Sequence, residues 1–526
     1  MASSLDTTKS RSSMKDDSAF KTEVLAVGGA AGTMEQLTGH DRELKVSMGV
    51  WALLGLSFAN MAPTTAINGS ISTALNSGGS VATVWGWESH FAVSIISLAV
   101  AASLAEMCSA WPHAAGQAFW SYQLAPEGWG PLLSYFTAFS NICGGWSLIA
   151  AGVYIFASGI LGIAVAWHPT YEQKNWHLVL LYLGLLVIFF FANLLMIRAL
   201  DRMTTTFAVI NISSVVATII ALAACAPVKS TPKFVFTGFI NETGWSNRGL
   251  VFLLGLLQSS FTIIGYDAST HLCEEAEDAG RLAPIAVLGG VVLVGIVGFC
   301  YIITLLFCIG DVSTVLDTPT LIPVLQIFED SFGLHGATAA YLFNLLILAF
   351  ACVGILCASS RAVWSISRDG GFPLSALFKN VSPTFKVPVN ALILQCTIPA
   401  ILGLIYLGSE TIFFAFFQLT TIGYLVSYAI PIALLFRNRD LLPPAYWRLP
   451  DPVAKICHLI SLAYIPLICV LFCIPNYYPV TSSNMNYTSA ISAVFAVIGT
   501  IGWYAEVRRK YKGPASAVNE VEEVSA

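Results

Sequence analysis

Apolar stretches long enough to cross a bilayer recur twelve times along this chain, with few charges inside them. They fall at about 47–75, 82–108, 131–166, 176–197, 203–226, 249–272, 283–309, 334–365, 388–408, 411–436, 455–475 and 487–507. A helix crossing the hydrocarbon core needs about 20 mostly apolar residues. In lipid each stretch must satisfy its own backbone, so each is expected to be a helix. At 526 residues a soluble chain would form several domains. Here charged residues make up only 10% and hydrophobic residues 56%, whereas soluble domains carry about 25% charged residues. The expected fold is therefore an all-α polytopic membrane protein with 12 transmembrane helices. The net charge of −5 says less than where the charges lie.

Orientation follows from those positions. With the N-terminus inside, all but four of the 25 Lys and Arg fall on the inner side. The four outside are Lys174, Lys229, Lys233 and Arg248. Both termini are thus expected in the cytoplasm. Residues 1–46 are polar, contain no signal-peptide core and are expected to be a disordered tail, as are residues 510–526. Two glycosylation triplets, Asn241-Glu242-Thr243 and Asn486-Tyr487-Thr488, then lie outside. The 12 cysteines sit mostly in apolar spans without a CxxC pair, and read as small core residues rather than disulfides or metal ligands.

One acid stands out. Asp267 lies within the apolar stretch from Leu250 to Leu272. A carboxylate at membrane depth costs roughly 2.5–3.5 kcal/mol on insertion scales, so a retained one usually has a task. Its neighbours Gly265, Ala268, Ser269 and Thr270 are small or weaken a helix. Span 1 has a matching interruption at Asn60-Met61-Ala62-Pro63-Thr64-Thr65. Five spans separate the two, which suggests a five-plus-five arrangement: spans 1–5 over 47–226 and spans 6–10 over 249–436, followed by spans 11 and 12 over 455–509. Paired interrupted helices in corresponding positions point to a transporter with a midplane site. The plainer reading is that Pro63 only kinks its helix.

Several motifs now resemble one family. Ala105-Glu106-Met107-Cys108-Ser109-Ala110-Trp111-Pro112-His113-Ala114-Ala115-Gly116-Gln117, preceded by Gly78-Gly79-Ser80, resembles a signature of amino acid–polyamine–organocation permeases. Tyr266-Asp267-Ala268-Ser269-Thr270-His271 with Glu274-Glu275 and Pro284 resembles the span-6 motif of their fungal amino acid/choline branch. Arg361 and Arg368-Asp369-Gly370-Gly371-Phe372-Pro373 resemble that branch's motif after span 8. The stretches Asn241–Trp245 and Pro479–Tyr487 are similar to fungal choline and GABA permeases. The resemblance runs from about residue 42 to 512. It implies a leucine-transporter-like 5+5 inverted repeat with broken helices 1 and 6, binding its substrate between them. It also implies secondary transport, usually proton-coupled in fungi. One departure stands at the span-1 break. Choline and GABA permeases tend to have Thr-Asn-Ser-Trp where this chain has Met61-Ala62-Pro63-Thr64.

Each candidate residue has a plainer alternative. Asp267 suits an ammonium or quaternary amine, or the coupled proton; otherwise helix-end amides simply hold it. Thr64 and Thr65, after Pro63 at the start of the outer half-helix, would present free backbone amides to a substrate carboxylate, with Ala62, Pro63 and Gly265 as the other expected substrate-site residues at the two breaks. Alternatively, the two threonine hydroxyls bond back to their own turn. Tyr266 and Trp146 would form an aromatic wall around a cationic head, Trp146 lying in a span that faces the site in this fold; otherwise they are packing residues. Glu88 and His90 read as a proton relay or, more plainly, as a water-exposed pair. The acidic run Glu274, Glu275, Glu277 and Asp278 reads as a solvated loop. The resemblance implies instead that Glu275 pairs with an inner arginine such as Arg368 as a latch. Phe414, among Phe413, Phe416, Phe417 and Gln418, would be a thin outer gate. Ser359 and Ser360 lie where sodium-coupled relatives place hydroxyl ligands, but the fungal resemblance favours protons over sodium.

The sequence thus reads as a permease for a small amine or amino acid, working by alternating access, and the fungal resemblance implies proton symport. Choline or ethanolamine competes with an amino acid such as GABA as substrate. A nutrient sensor on the same fold is a more distant reading. No HExxH, DHHC tetrad or phosphate-binding loop points to an enzyme. No cofactor, metal or nucleic acid is expected; the partners are the substrate, the coupled ion and the lipid bilayer. The plasma membrane is the expected location, with a vacuolar or other internal membrane as the alternative.

Overall fold

The computed structural model describes residue 46 and residues 48–196, 200–482 and 484–514; for 82–92, 196 and 200–204 it describes the backbone alone. Residues 1–45, most of the C-terminal tail, Arg198 and the side chains of Glu88, His90 and Arg202 therefore lie outside the description. Among the described residues the chain is helical, with two isolated β-bridges, Met48 to Ala276 and Ser77 to Asn241.

The helices that build the site are α1 (Val50–Met61), α2 (Pro63–Asn76), α3 (Gly79–Ala110), α4 (Gln117–Leu124), α5 (Gly130–Trp167), α6 (Asn175–Met196), α7 (Leu200–Cys225), α8 (Arg248–Gly255), α9 (Leu257–Thr262), α10 (Ala279–Phe307), α11 (Pro323–Arg368), α12 (Val389–Ile405), α13 (Glu410–Asn438), α14 (Asp451–Leu471) and α15 (Thr488–Gly502). Among the described residues, eleven helical stretches are long and apolar enough to cross a membrane when α1–α2 and α8–α9 with the turn after it each count as one. The expected span at 388–408 is α12, which has 17 residues and falls just short. At 1.5 Å per residue it is about 25 Å long, near the lower limit for a spanning helix.

Both expected breaks are present as backbone geometry. Pro63 has no N–H and disfavours helical geometry in the residue before it. Ala62 accordingly leaves the helix for the left-handed region, with φ 37° and ψ 63°. A side-chain-bearing residue pays about 1–2 kcal/mol there. In the second break α9 ends at Thr262, Ile263 is non-helical (φ −104°, ψ 65°), and Gly265 turns left-handed (φ 82°, ψ 17°). Only glycine takes that φ without strain. The chain then continues as a 3-10 segment, Tyr266–Glu275. The unwound residues are thus 263–265, slightly before the expected 265–270.

Close packing holds the breaks in place. α5 and α13 cross on glycines: a Cβ on Gly423 would lie 2.8 Å from the Cα of Gly144. Small residues at helix crossings replace the hydrophobic drive that lipid does not supply. The 3-10 segment packs against α1, α3, α10 and α11. The apolar faces of α6, α7, α14 and α15 are exposed, for example at Ile188, Ile220, Ile456 and Val497. Such a belt suits contact with acyl chains and makes the chain an integral, multi-pass membrane protein.

Candidate functional site

Asp267 is the second residue of the 3-10 segment, directly after Tyr266, and it is 1% exposed. Four side chains enclose its carboxylate. Gln117 Nε2 and Asn141 Nδ2 each donate to Oδ2 at 2.8 Å. Tyr428 Oη donates to Oδ1 at 2.6 Å. His271 Nε2 lies 3.3 Å from Oδ2, one helical turn along the same segment. These partners come from α4, α5, α13 and the segment itself. Three neutral donors and one imidazole replace the water that a buried carboxylate loses. The alternative in which helix-end amides hold Asp267 is therefore not what the structure has: side chains do it. Sequence reasoning missed Gln117, Asn141, His271 and Tyr428. Only His271 left a usable signal, the i,i+4 spacing from Asp267 within an apolar span.

A cavity with a different lining lies elsewhere. It has a volume of about 560 Å³ and is lined by α2, α5, α9, α13 and the loops around Thr320 and Tyr487. One end is at the surface, where Leu321 is 77% exposed; at the other, Asn68 and Gln258 are 5% and 3% exposed. Tyr154, Phe261, Tyr341, Tyr406, Phe414 and Phe417 form much of its wall, and no Asp, Glu, Lys, Arg or His is among the lining residues. Asn68 and Phe261 each lie close to a break, six residues after Ala62 and two before Ile263. Asp267 is not part of this wall. The carboxylate and this cavity are therefore separate.

At the breaks themselves, Thr64 is buried and its hydroxyl has no partner. Thr65 Oγ1 instead donates to Ala62 O at 3.0 Å, the plainer of the two readings. Pro63 has no N–H, and the first turn of a helix leaves its amides without intrahelical acceptors. Both polar ends of the Gln258 side chain are buried without partners beside the cavity. Tyr266 packs at a tilt against Tyr428 with centroids 5.2 Å apart, while Trp146 packs on Phe495 at 6.4 Å. Both side chains belong to one buried apolar cluster, but their ring contacts are with these different partners. Trp146 Nε1 is buried without a partner.

On the other side of Asp267, two ion pairs tie the end of the 3-10 segment to α11. Arg361 Nε donates to Glu275 Oε1 at 3.0 Å, and Arg368 clamps Glu274 with bonds of 3.2 and 2.9 Å. The expected partners are exchanged: Arg368 binds Glu274, and Arg361 takes Glu275. The arginines stand seven residues apart, two turns along one face of α11, and their long side chains converge on the two adjacent acids. Glu274 and Glu275 are 3% and 4% exposed, so this half of the acidic run is not a solvated loop. A fourth buried acid, Glu106, pairs with Arg439 and stands 3.8 Å from His458 Nε2. It ties α3 to α14 and to the chain after α13.

The other expected residues separate. Phe414 lines the cavity and packs edge-on against Tyr154 at 5.3 Å. Ser359 Oγ lies against Gly145 of α5. Ser360 Oγ instead donates to Cys357 O at 2.8 Å and accepts from Arg361 Nη1 at 3.2 Å. The two hydroxyls therefore do not converge as a pair of ligands. Asn241 is exposed, while Asn486 Nδ2 donates to Gln418 Oε1, Phe472 O and Ile474 O at 2.8 to 2.9 Å.

The family model described as amino acid permease matches residues 48–498. The chain belongs to the amino acid permease family. This family member is 33% identical to a putative amino acid/polyamine transporter of Macrophomina phaseolina, over 84% of this chain and 98% of that one. It is 31% identical to the choline transporter of Saccharomyces cerevisiae, over 92% of this chain and 85% of that one. A GABA-specific permease of the same yeast is 28% identical over 92% and 85%. The permease is thus a membrane transporter and not an enzyme.

Proposed function

We propose that this permease moves a small amine or amino acid by alternating access, as a proton symporter. The observation that carries the reading is the 560 Å³ cavity, which runs from one surface to the two broken helices. Two buried ion pairs lie beyond the breaks. A transporter must open one path while the other is shut, and this arrangement suits the state open on the cavity's side. The distribution of Lys and Arg makes that side the outside. The Glu274–Arg368 and Glu275–Arg361 pairs then serve as the inner latch, breaking as the site turns inward. Spans 1–5 and 6–10 serve as the two repeats, with Phe414 at the outer entrance.

In this reading the unwound backbone at Ala62, Pro63 and Gly265 receives the substrate, and Thr64 offers its hydroxyl and amide to a carboxylate. A second reading, an organic cation such as choline or ethanolamine, draws on the uncharged aromatic lining of the cavity. The relatives are named for both kinds of substrate. Ser359 and Ser360 are weaker candidates for ion coupling, because their hydroxyls turn to different neighbours. The location proposed is the plasma membrane, with both termini in the cytoplasm.

The test is uptake by the full chain in proteoliposomes, offered labelled choline, ethanolamine, GABA, other amino acids and polyamines. Uptake of at least one of these, driven by an inward proton gradient, is expected. Uptake driven by sodium alone would overturn the proton assignment, and no uptake of any of them would overturn the substrate class.

A further inference from the structure

His271 stands between two oxygens that accept hydrogen bonds and donate none. Its Nδ1 is 2.9 Å from the carbonyl of Ala114, and its Nε2 is 3.3 Å from Asp267 Oδ2. A neutral imidazole has one N–H and one lone pair. With Asp267 ionised, a neutral His271 would turn a lone pair towards one of these oxygens inside a site that is 5% exposed or less. One additional proton removes the conflict. It sits on His271 as imidazolium beside carboxylate, or on Asp267 as a carboxylic acid donating to Nε2. Both forms satisfy every bond around the pair, and both hold the same single proton.

We propose that Asp267 and His271 together carry the coupled proton, a role that rests on the symport reading above. The pair is placed for it. A cavity of about 10 Å³, close to the size of one water molecule, lies against His271, Gln117, Asn141 and Thr137. It has room for one water molecule beside the ring. The pair also reports on conformation. Its partners belong to the loop at Ala114 and to α4, α5 and α13, whereas Asp267 and His271 ride on the 3-10 segment below the second break. With the proton bound, the segment is held against those partners. When the proton leaves, one attraction becomes a contact between lone pairs, and the segment is released to move.

Other ionisable groups around the pair are already engaged or neutral. On α13, Tyr428 donates to Asp267, and Tyr424 packs behind it. From the loop before α4, His113 accepts from the Ala115 amide and stacks on Phe119. Arg361 and Arg368 of α11 are bound by Glu275 and Glu274. On α3, Glu106 is paired with Arg439, and Cys108 is buried. α1 has no ionisable residue, and Arg281 of α10 lies over Tyr446. Tyr266 and Cys273 of the segment itself are buried.

The test is nitrogen-15 and carbon-13 NMR of the full chain in nanodiscs, with ring nitrogen-15 histidine and carboxyl carbon-13 aspartate. Loss of a signal in His271→Gln assigns the ring, and a second variant, Asp267→Asn, changes the partner instead. At neutral pH the expected result is the extra proton: two N–H nitrogens on His271, or one beside a protonated Asp267. In Asp267→Asn the extra proton is expected to be gone, leaving His271 a neutral ring with one N–H. A neutral His271 beside an ionised Asp267 overturns the proposal. So does the extra proton if wild-type uptake is indifferent to a pH gradient. Failure of wild-type protein to take up any of the offered substrates counts instead against the transport reading, because the NMR signature is read without substrate.

Discussion

Thr64 shows what one residue adds at a helix break. Its hydroxyl is buried without a partner, while that of Thr65 is spent on Ala62 O. Thr64→Val keeps the shape and removes the hydroxyl. A hydrogen bond to a charged group is worth about 1.5–3 kcal/mol, so KM for a carboxylate-bearing substrate should rise roughly ten- to a hundredfold, with KM for choline unchanged. Thr65→Val should leave both values alone; kinetics in proteoliposomes separate these outcomes. The two glycosylation triplets look alike in sequence, but their asparagines differ. Asn241 is exposed, and Asn486 has its amide nitrogen committed to three acceptors. In a eukaryotic host, a glycan-dependent gel shift should vanish in Asn241→Gln and persist in Asn486→Gln. Asp267 was legible at this scale because a lone acid in an apolar run is costly. Its partners were not, since Gln117, Asn141 and Tyr428 lie 126 to 161 positions away in the chain.

Between elements, ion pairs and glycines decide how the 3-10 segment and its neighbours sit. Glu275 and Arg361 are 4% and 1% exposed. Removing one partner strands the other charge, so Glu275→Leu should cost about 3–5 kcal/mol, while Glu275→Leu with Arg361→Leu should recover most of it. Thermal unfolding in detergent reads both. The crossing of α5 and α13 leaves no room for a methyl group. A Cβ on Gly423 would meet the backbone of Gly144 and the Ser140 carbonyl at 2.8 to 2.9 Å. Gly423→Ala should destabilise by roughly 1–3 kcal/mol in the same measurement, because backbone cannot rotate away as a side chain can. The break at Ala62 was legible, since proline acts on its own chain. The exchange of arginine partners was not, because it depends on how far the 3-10 segment turns between Glu274 and Glu275.

For the molecule as a whole, the cavity sets sidedness. Ser72 lines it, half-buried on α2. Ser72→Cys should react with a membrane-impermeant maleimide added to intact cells, above the background of the 12 native cysteines. Labelling only after the cells are opened would reverse the orientation. By itself the sequence determined the helical membrane architecture, the places where two helices break and the family to which the chain belongs. Those properties are local: apolar length, a proline, a glycine and contiguous motifs each act within a few residues. Only the tertiary structure decided that the cavity and the buried carboxylate are separate, and that His271 and three distant polar side chains enclose Asp267. Which polar groups meet is set by how helices far apart in the chain cross, and apolar periodicity leaves that crossing open.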